Sequence, residues 1–181
     1  MHTAQVWLVR TIGGDTAVAE LMRSTWAWPL VESLHFLGLC LLVGAIGAFD
    51  LRLLGIARTV PIAAVHRLVP VGLLGFAINI ATGALFVATE PDQYIYNPAF
   101  HLKLAFLGIA GLNAATFYLT TYRQAFGPAA TLRVPTHARV IAAISLSAWL
   151  VVIVAGRLIT FYRPGGCNGA QTSILLTCDP G

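Results

Sequence analysis

The chain is expected to be an all-α integral membrane protein: an up-down bundle of four spanning helices, both termini outside, with a short interfacial helix ahead of the first span. Three observations lead there. Of its 181 residues 57% are hydrophobic and only 10% charged, against ~25% charged in an ordinary soluble domain. The mean hydropathy of +0.79 is concentrated in four stretches, each longer than the ~20 apolar residues that cross ~30 Å of hydrocarbon. Basic residues gather at two of the three connections, which sets the direction of the helices.

The spans are read as 29–54, 64–88, 98–121 and 136–162, each of ~24–27 residues, enough to cross with some tilt. Pro29 suits a first helical turn, where its missing N–H costs nothing. Asn97-Pro98 caps and opens the third span, and Pro135 precedes the fourth. Three regions follow: an N-terminal interfacial segment (1–25), the four-helix domain (26–163) and an outer-facing tail rich in Gly and Cys (164–181).

The N-terminal segment is not expected to be a cleaved signal peptide. Its apolar run Val6-Trp7-Leu8-Val9 is broken by Arg10 and Gly13-Gly14, too early for an h-region. Trp7, Leu21, Met22, Trp26 and Trp28 suit the headgroup zone; an irregular terminus is the alternative.

Arg52, Arg58 and Arg67 flank the first connection, and Arg123, Arg133 and Arg139 the third, whereas the second reads Glu90-Pro91-Asp92 with no basic residue before Lys103. Basic loops stay cytoplasmic, so both termini face outward, consistent with a multi-pass protein of the bacterial inner membrane. Cys167 and Cys178 then lie outside, where disulfides persist, and ten intervening residues make a closed loop; free thiols or metal ligation are the alternatives. Cys40, inside the first span, is read as a packing residue. The net charge of +4 arises from the loop arginines and does not point to nucleic acid.

Four of the five histidines, His35, His66, His101 and His137, fall one in each span. An ionisable ring in or near hydrocarbon needs a reason, and histidine is the commonest ligand of transition metals and haem. In an up-down bundle they form two pairs, His35 with His101 toward the outer face and His66 with His137 toward the inner. The inner pair matches in depth. In the outer pair His35 is six residues beyond Pro29 and His101 three beyond Pro98, an offset of ~5 Å that tilt must absorb.

Cations accompany each pair. Lys103 and Arg157 are placed near the outer histidines, Arg67 and Arg139 near the inner, suited to haem propionates; positive-inside placement equally accounts for the last two. Gly38, Gly44, Gly47, Gly72, Gly75, Gly83, Gly108 and Gly111 offer thin places for a macrocycle, or for ordinary helix contacts. Glu32, one turn before His35, is placed to bond its ring or to take a proton from a quinol. Asn79 and Asn113 are read as interhelical hydrogen bonders, and Ser145, Ser147 and Trp149 as packing residues.

The segments Trp28-Pro-Leu-Val-Glu-Ser-Leu-His35 with Gly38, Asn97-Pro-Ala-Phe-His-Leu-Lys103-Leu, and Trp149 through Gly156-Arg157-Leu-Ile carry a resemblance. The membrane portion resembles small bacterial four-helix proteins related in layout to b-type cytochromes and to CopD-like membrane domains of copper resistance. That resemblance implies one or two b haems on histidine pairs, passing electrons between the quinone pool and an outer, periplasmic partner. No Cys-x-x-Cys-His occurs, so covalent haem attachment is excluded.

Three functions remain open: electron transfer through haem, copper handling, and a haem-free anchor for a periplasmic enzyme, any of them in an oligomer. Copper handling favours soft ligands, and the chain offers only Met1, Met22 and three cysteines. No phosphate-binding loop, His-Glu-x-x-His or nucleophile elbow is present, so an enzymatic role would be that of an electron-carrying oxidoreductase component.

Overall fold

The computed structural model describes residues 17–126 and 135–162. Among them the order is α1 (Ala17–Met22), α2 (Ala27–Leu54), α3 (Ile62–His66), α4 (Val69–Thr89), α5 (Pro91–Ile95) and α6 (Pro98–Thr116), then a π-helical turn (Phe117–Thr121), α7 (Tyr122–Phe126) and α8 (Thr136–Leu158). Residues 1–16 and 163–181, with Trp7 and the Cys167/Cys178 pair, lie outside the described residues.

Four helical stretches are long and apolar enough to cross a membrane: Ala27–Leu54, Ile62–Thr89, Pro98–Thr121 and Thr136–Leu158. The second is α3 and α4 joined by one turn at Arg67-Leu68, ahead of Pro70, which has no N–H to continue the helical bonding to the His66 carbonyl. Large apolar side chains face outward along the bundle, with Leu112 71% and Leu119 86% exposed. Such a surface is stable against lipid rather than water, which makes this a multi-pass membrane protein. The end carrying the 55–61 connection and α7 is called the inner end, after its loop arginines.

α2 is the centre of the assembly. It packs along α4 on one side and α8 on the other, and α8 in turn packs along α6. The α2–α4 contact is close because glycines meet on it. A Cβ on Gly75 would lie 2.5 Å from the Gly38 carbonyl oxygen and 2.7 Å from the Leu42 nitrogen, so both backbones approach without side chains between them. Antiparallel neighbours continue outward from this crossing to His35 with Thr82 and Trp28 with Phe86. Gly44, Gly47, Gly108 and Gly111 meet nothing within 4 Å, so the sequence's thin places are not one class.

α8 presents a stripe of buried, mostly small residues: Ala138, Ala142, Ser145, Ala148, Val152 and Ala155. The spacing of three and four keeps them on one face, and their size admits both α2 and α6. At the inner end Phe49, Leu53, Phe117 and Ala142 form the apolar core. α4 and α6 do not pack along one another, which leaves a lateral gap between them.

Gly55 ends α2 in the left-handed region at φ 99°, which favours glycine, with its N–H on the Arg52 carbonyl and that of Ile56 on the Leu51 carbonyl. Arg52 itself is buried and donates to the carbonyls of Val60 and Arg58, tying the connection back against the helix. α1 lies against α4, with Met22 buried and Leu21 exposed.

Candidate functional site

Two polar clusters lie within the spans, one in each half. In the outer half the half-buried His35 is held by α4. Its Nδ1 lies 2.7 Å from Thr82 Oγ1, and the Thr82 hydroxyl in turn donates to the Ile78 carbonyl at 2.7 Å. A hydroxyl has one proton. Since Thr82 gives it to Ile78, it must accept from His35, which puts the ring proton on Nδ1 and leaves Nε2 with a lone pair. No hydrogen bond to that nitrogen is found among the described residues. The edge of Phe86 packs on the ring with centroids 5.6 Å apart, and Gly83 leaves the space beside Cε1 open.

Lys103 of α6 shares this half. Its ammonium acts electrostatically on His35 and lies against Gly156 of α8, where an added Cβ would sit 3.5 Å from Nζ. It has no ion-pair partner among the described residues. His35 and Lys103, each beside a glycine, are the sequence-derived residues that the fold brings together.

The others disperse. His101 is exposed, in ring contact with its neighbour Phe100 at 6.4 Å. It stands two residues, ~200° of helix, from the inward Lys103, so the two cannot share a face. His66 is half-buried at the inner end in an aromatic box with Phe49, Tyr122 and Phe126, its Nε2 3.2 Å from the Tyr118 hydroxyl. His137 is exposed on the first turn of α8. Arg67 and Arg139 are exposed, and the exposed Arg157 lies 5.5 Å over the Phe161 ring. Glu32 is exposed on α2, and its charge acts on Tyr94 of α5.

No group of three or more His, Cys, Asp or Glu among the described residues could hold a metal ion. Met22 is buried in α1 and Cys40 exposed on α2, so these soft ligands do not converge on one point. A haem makes no such demand, since its porphyrin supplies four ligands and the protein need add only one or two.

The inner half holds a residue that the sequence analysis does not single out. Asp50 is buried, and with Ser145 of α8 it lines one cavity. Asn113, on α6, donates to the Ile141 carbonyl at 3.0 Å, the interhelical bond expected of it. Asn79 instead bonds the Gly75 carbonyl within its own helix. A carboxyl inside a spanning helix was the available signal for Asp50, because charges there rarely lack a task. The Thr82 role was not readable, because it depends on which turn of α4 faces His35.

A scan against known protein families, curated proteins and solved structures finds no match to this chain.

Proposed function

We propose that the chain is a b-type cytochrome-like electron carrier of the bacterial inner membrane, with haem b held in the outer half on His35. The observation that carries this reading is the His35–Thr82 hydrogen bond, which assigns the ring proton to Nδ1. Haem and metal ligation need a neutral imidazole presenting a lone pair, and ligating histidines are typically fixed by a hydrogen bond from the other nitrogen. Thr82 makes that bond here. Lys103, with no ion-pair partner among the described residues, supplies a cation for a propionate, and Gly83 and Gly156 put no Cβ beside His35 and Lys103. When bound, haem would supply one-electron carriage between quinone and an outer partner; the chain's part is to ligate, orient and neutralise.

The reading draws on His35 and Lys103 rather than on both histidine pairs. His101 and His137 are both exposed, whereas His35 is half-buried and held by Thr82. A pyridine haemochrome assay of protein purified from haem-replete cells tests it. About one haem b per chain is expected, lost in His35→Ala and kept in His66→Ala and His137→Ala. A haem-free wild-type protein overturns the reading and leaves that of a membrane anchor.

A further inference from the structure

Asp50 stands 15 residues from His35 on α2, ~22 Å along a straight helix. It is 4% exposed, and its Oδ2 is buried with no hydrogen-bond partner among the described residues. Nearby cationic side chains are turned elsewhere: the Arg52 guanidinium is engaged by the Val60 and Arg58 carbonyls, and His66 Nε2 by the Tyr118 hydroxyl. Buried polar atoms are ordinarily paired, so an orphan oxygen on a residue that lines a cavity points to a ligand there, which a turn of the carboxyl group would let it meet.

That cavity is present. A space of about 210 Å³ is lined by residues that include the polar Asp50, Ser145 and Asn113. Elsewhere the wall is apolar, including Phe49 and Phe117, whose rings meet edge to face at 5.4 Å. One carboxyl, one hydroxyl and one amide in an otherwise mostly apolar wall are a poor cage for a metal ion, which takes four or more ligands. They suit a molecule with an apolar ring and a polar edge. A hydroxyl on that edge both donates and accepts, so it satisfies Oδ2 whether Asp50 is ionised or protonated.

The route in is lateral. Leu73 of α4 and Tyr118 of the π-helical turn line the cavity and are 59% and 44% exposed, at the gap where α4 and α6 do not pack together. The gap opens onto the lipid-facing surface of the bundle. The π-helical turn begins at Phe117, where the third span reaches the cavity, and such turns recur at functional sites.

We propose that this cavity binds a lipid-soluble aromatic ring bearing a hydroxyl, the chemistry of a phenol or hydroquinone headgroup, taken sideways from the bilayer with the hydroxyl on Asp50. The site stands whether or not haem is held at His35.

The test uses the full chain in lipid nanodiscs with tetramethylhydroquinone as probe and its dimethyl ether as the donor-free control. Binding is measured after subtraction of empty nanodiscs, alongside the infrared carbonyl bands of the carboxyl groups. Saturable binding is expected, with the ether and Asp50→Asn each about tenfold weaker, the loss of one buried hydrogen bond. A carboxyl band absent from Asp50→Asn should shift when the probe binds. Ala114→Phe, on the exposed rim, should exclude the probe and leave the unliganded band unchanged, which separates blockage from misfolding. Non-saturable uptake, equal binding of the ether, or a band unmoved by the probe each overturns the proposal.

Discussion

Asn97 Nδ2 donates to the Ile159 carbonyl over 3.0 Å, so the residue that opens α6 also closes α8. The same amide reaches the Tyr162 carbonyl at 2.6 Å, while Oδ1 accepts the Ala99 N–H at 2.9 Å. Carbonyls at a helix end have no partner within the helix, and one fully buried side chain here serves two of them together with an N-terminal N–H. Asn97→Ala should lower stability by about 2–3 kcal/mol, measured by unfolding in mixed micelles. Asn97→Ser, which keeps the cap alone, should recover part of that loss.

Thr82→Val tests the tautomer argument without changing the size of the side chain. Removing the acceptor frees the His35 ring to turn, and a lost partner of this kind costs about 10–100-fold in ligand affinity. Haem titration of the variant should show that loss. Unchanged affinity would mean that Thr82 does not set the ring.

The glycines divide into tight and open positions, and substitution should divide them likewise. Gly75→Ala places a Cβ 2.5 Å from the Gly38 oxygen, and the helices must separate, at a cost of about 1–3 kcal/mol. Gly108→Ala meets nothing within 4 Å and should stay within about 0.5 kcal/mol of the parent. Equal effects in the same unfolding assay would contradict the close α2–α4 crossing.

Tyr94 lies in α5, outside the spans, and its phenol is pushed up to about 12, first by burial and then by the negative charges of Glu32 and Glu90. Below pH ~10 the folded and unfolded chains both keep this proton. Between there and about 12 the unfolded chain releases it while the folded chain holds it, so stability falls as pH rises through that window. Tyr94→Phe should flatten the slope, and Glu32→Gln should bring the phenol's ultraviolet titration to lower pH.

The loop charges lead to the expectation that the second connection lies outside. In a background with Cys40, Cys167 and Cys178 changed to Ser, Asp92→Cys should react with an impermeant maleimide on intact spheroplasts, and Arg58→Cys only after lysis. The reverse pattern would invert the bundle and exchange the two leaflets' clusters.

The spans are legible in the sequence because length and apolarity alone decide whether a helix crosses a bilayer. Pro98, Asn97 and Gly55 mark their ends by backbone chemistry that needs no partner. Side-chain direction is less legible, since a helix with lipid on one side and protein on the other is apolar all round. The pattern therefore does not say whether His101 faces inward. The two-residue step from His101 to Lys103 does say that both cannot. Asp50 was hidden by its place near a helix end, where a carboxylate reads as a boundary, and only the packing of α8 reveals that it is enclosed.

The crossing of Gly38 and Gly75 has an effect on proton placement. Where two backbones touch directly, sliding one helix by a residue would drive Leu39 or Phe76 toward main-chain atoms, so the pair has a single longitudinal setting. His35 lies one turn outward of that point on α2 and Thr82 two turns outward on α4. Which nitrogen of an imidazole carries hydrogen is thus decided, at a distance, by two residues with no side chain at all.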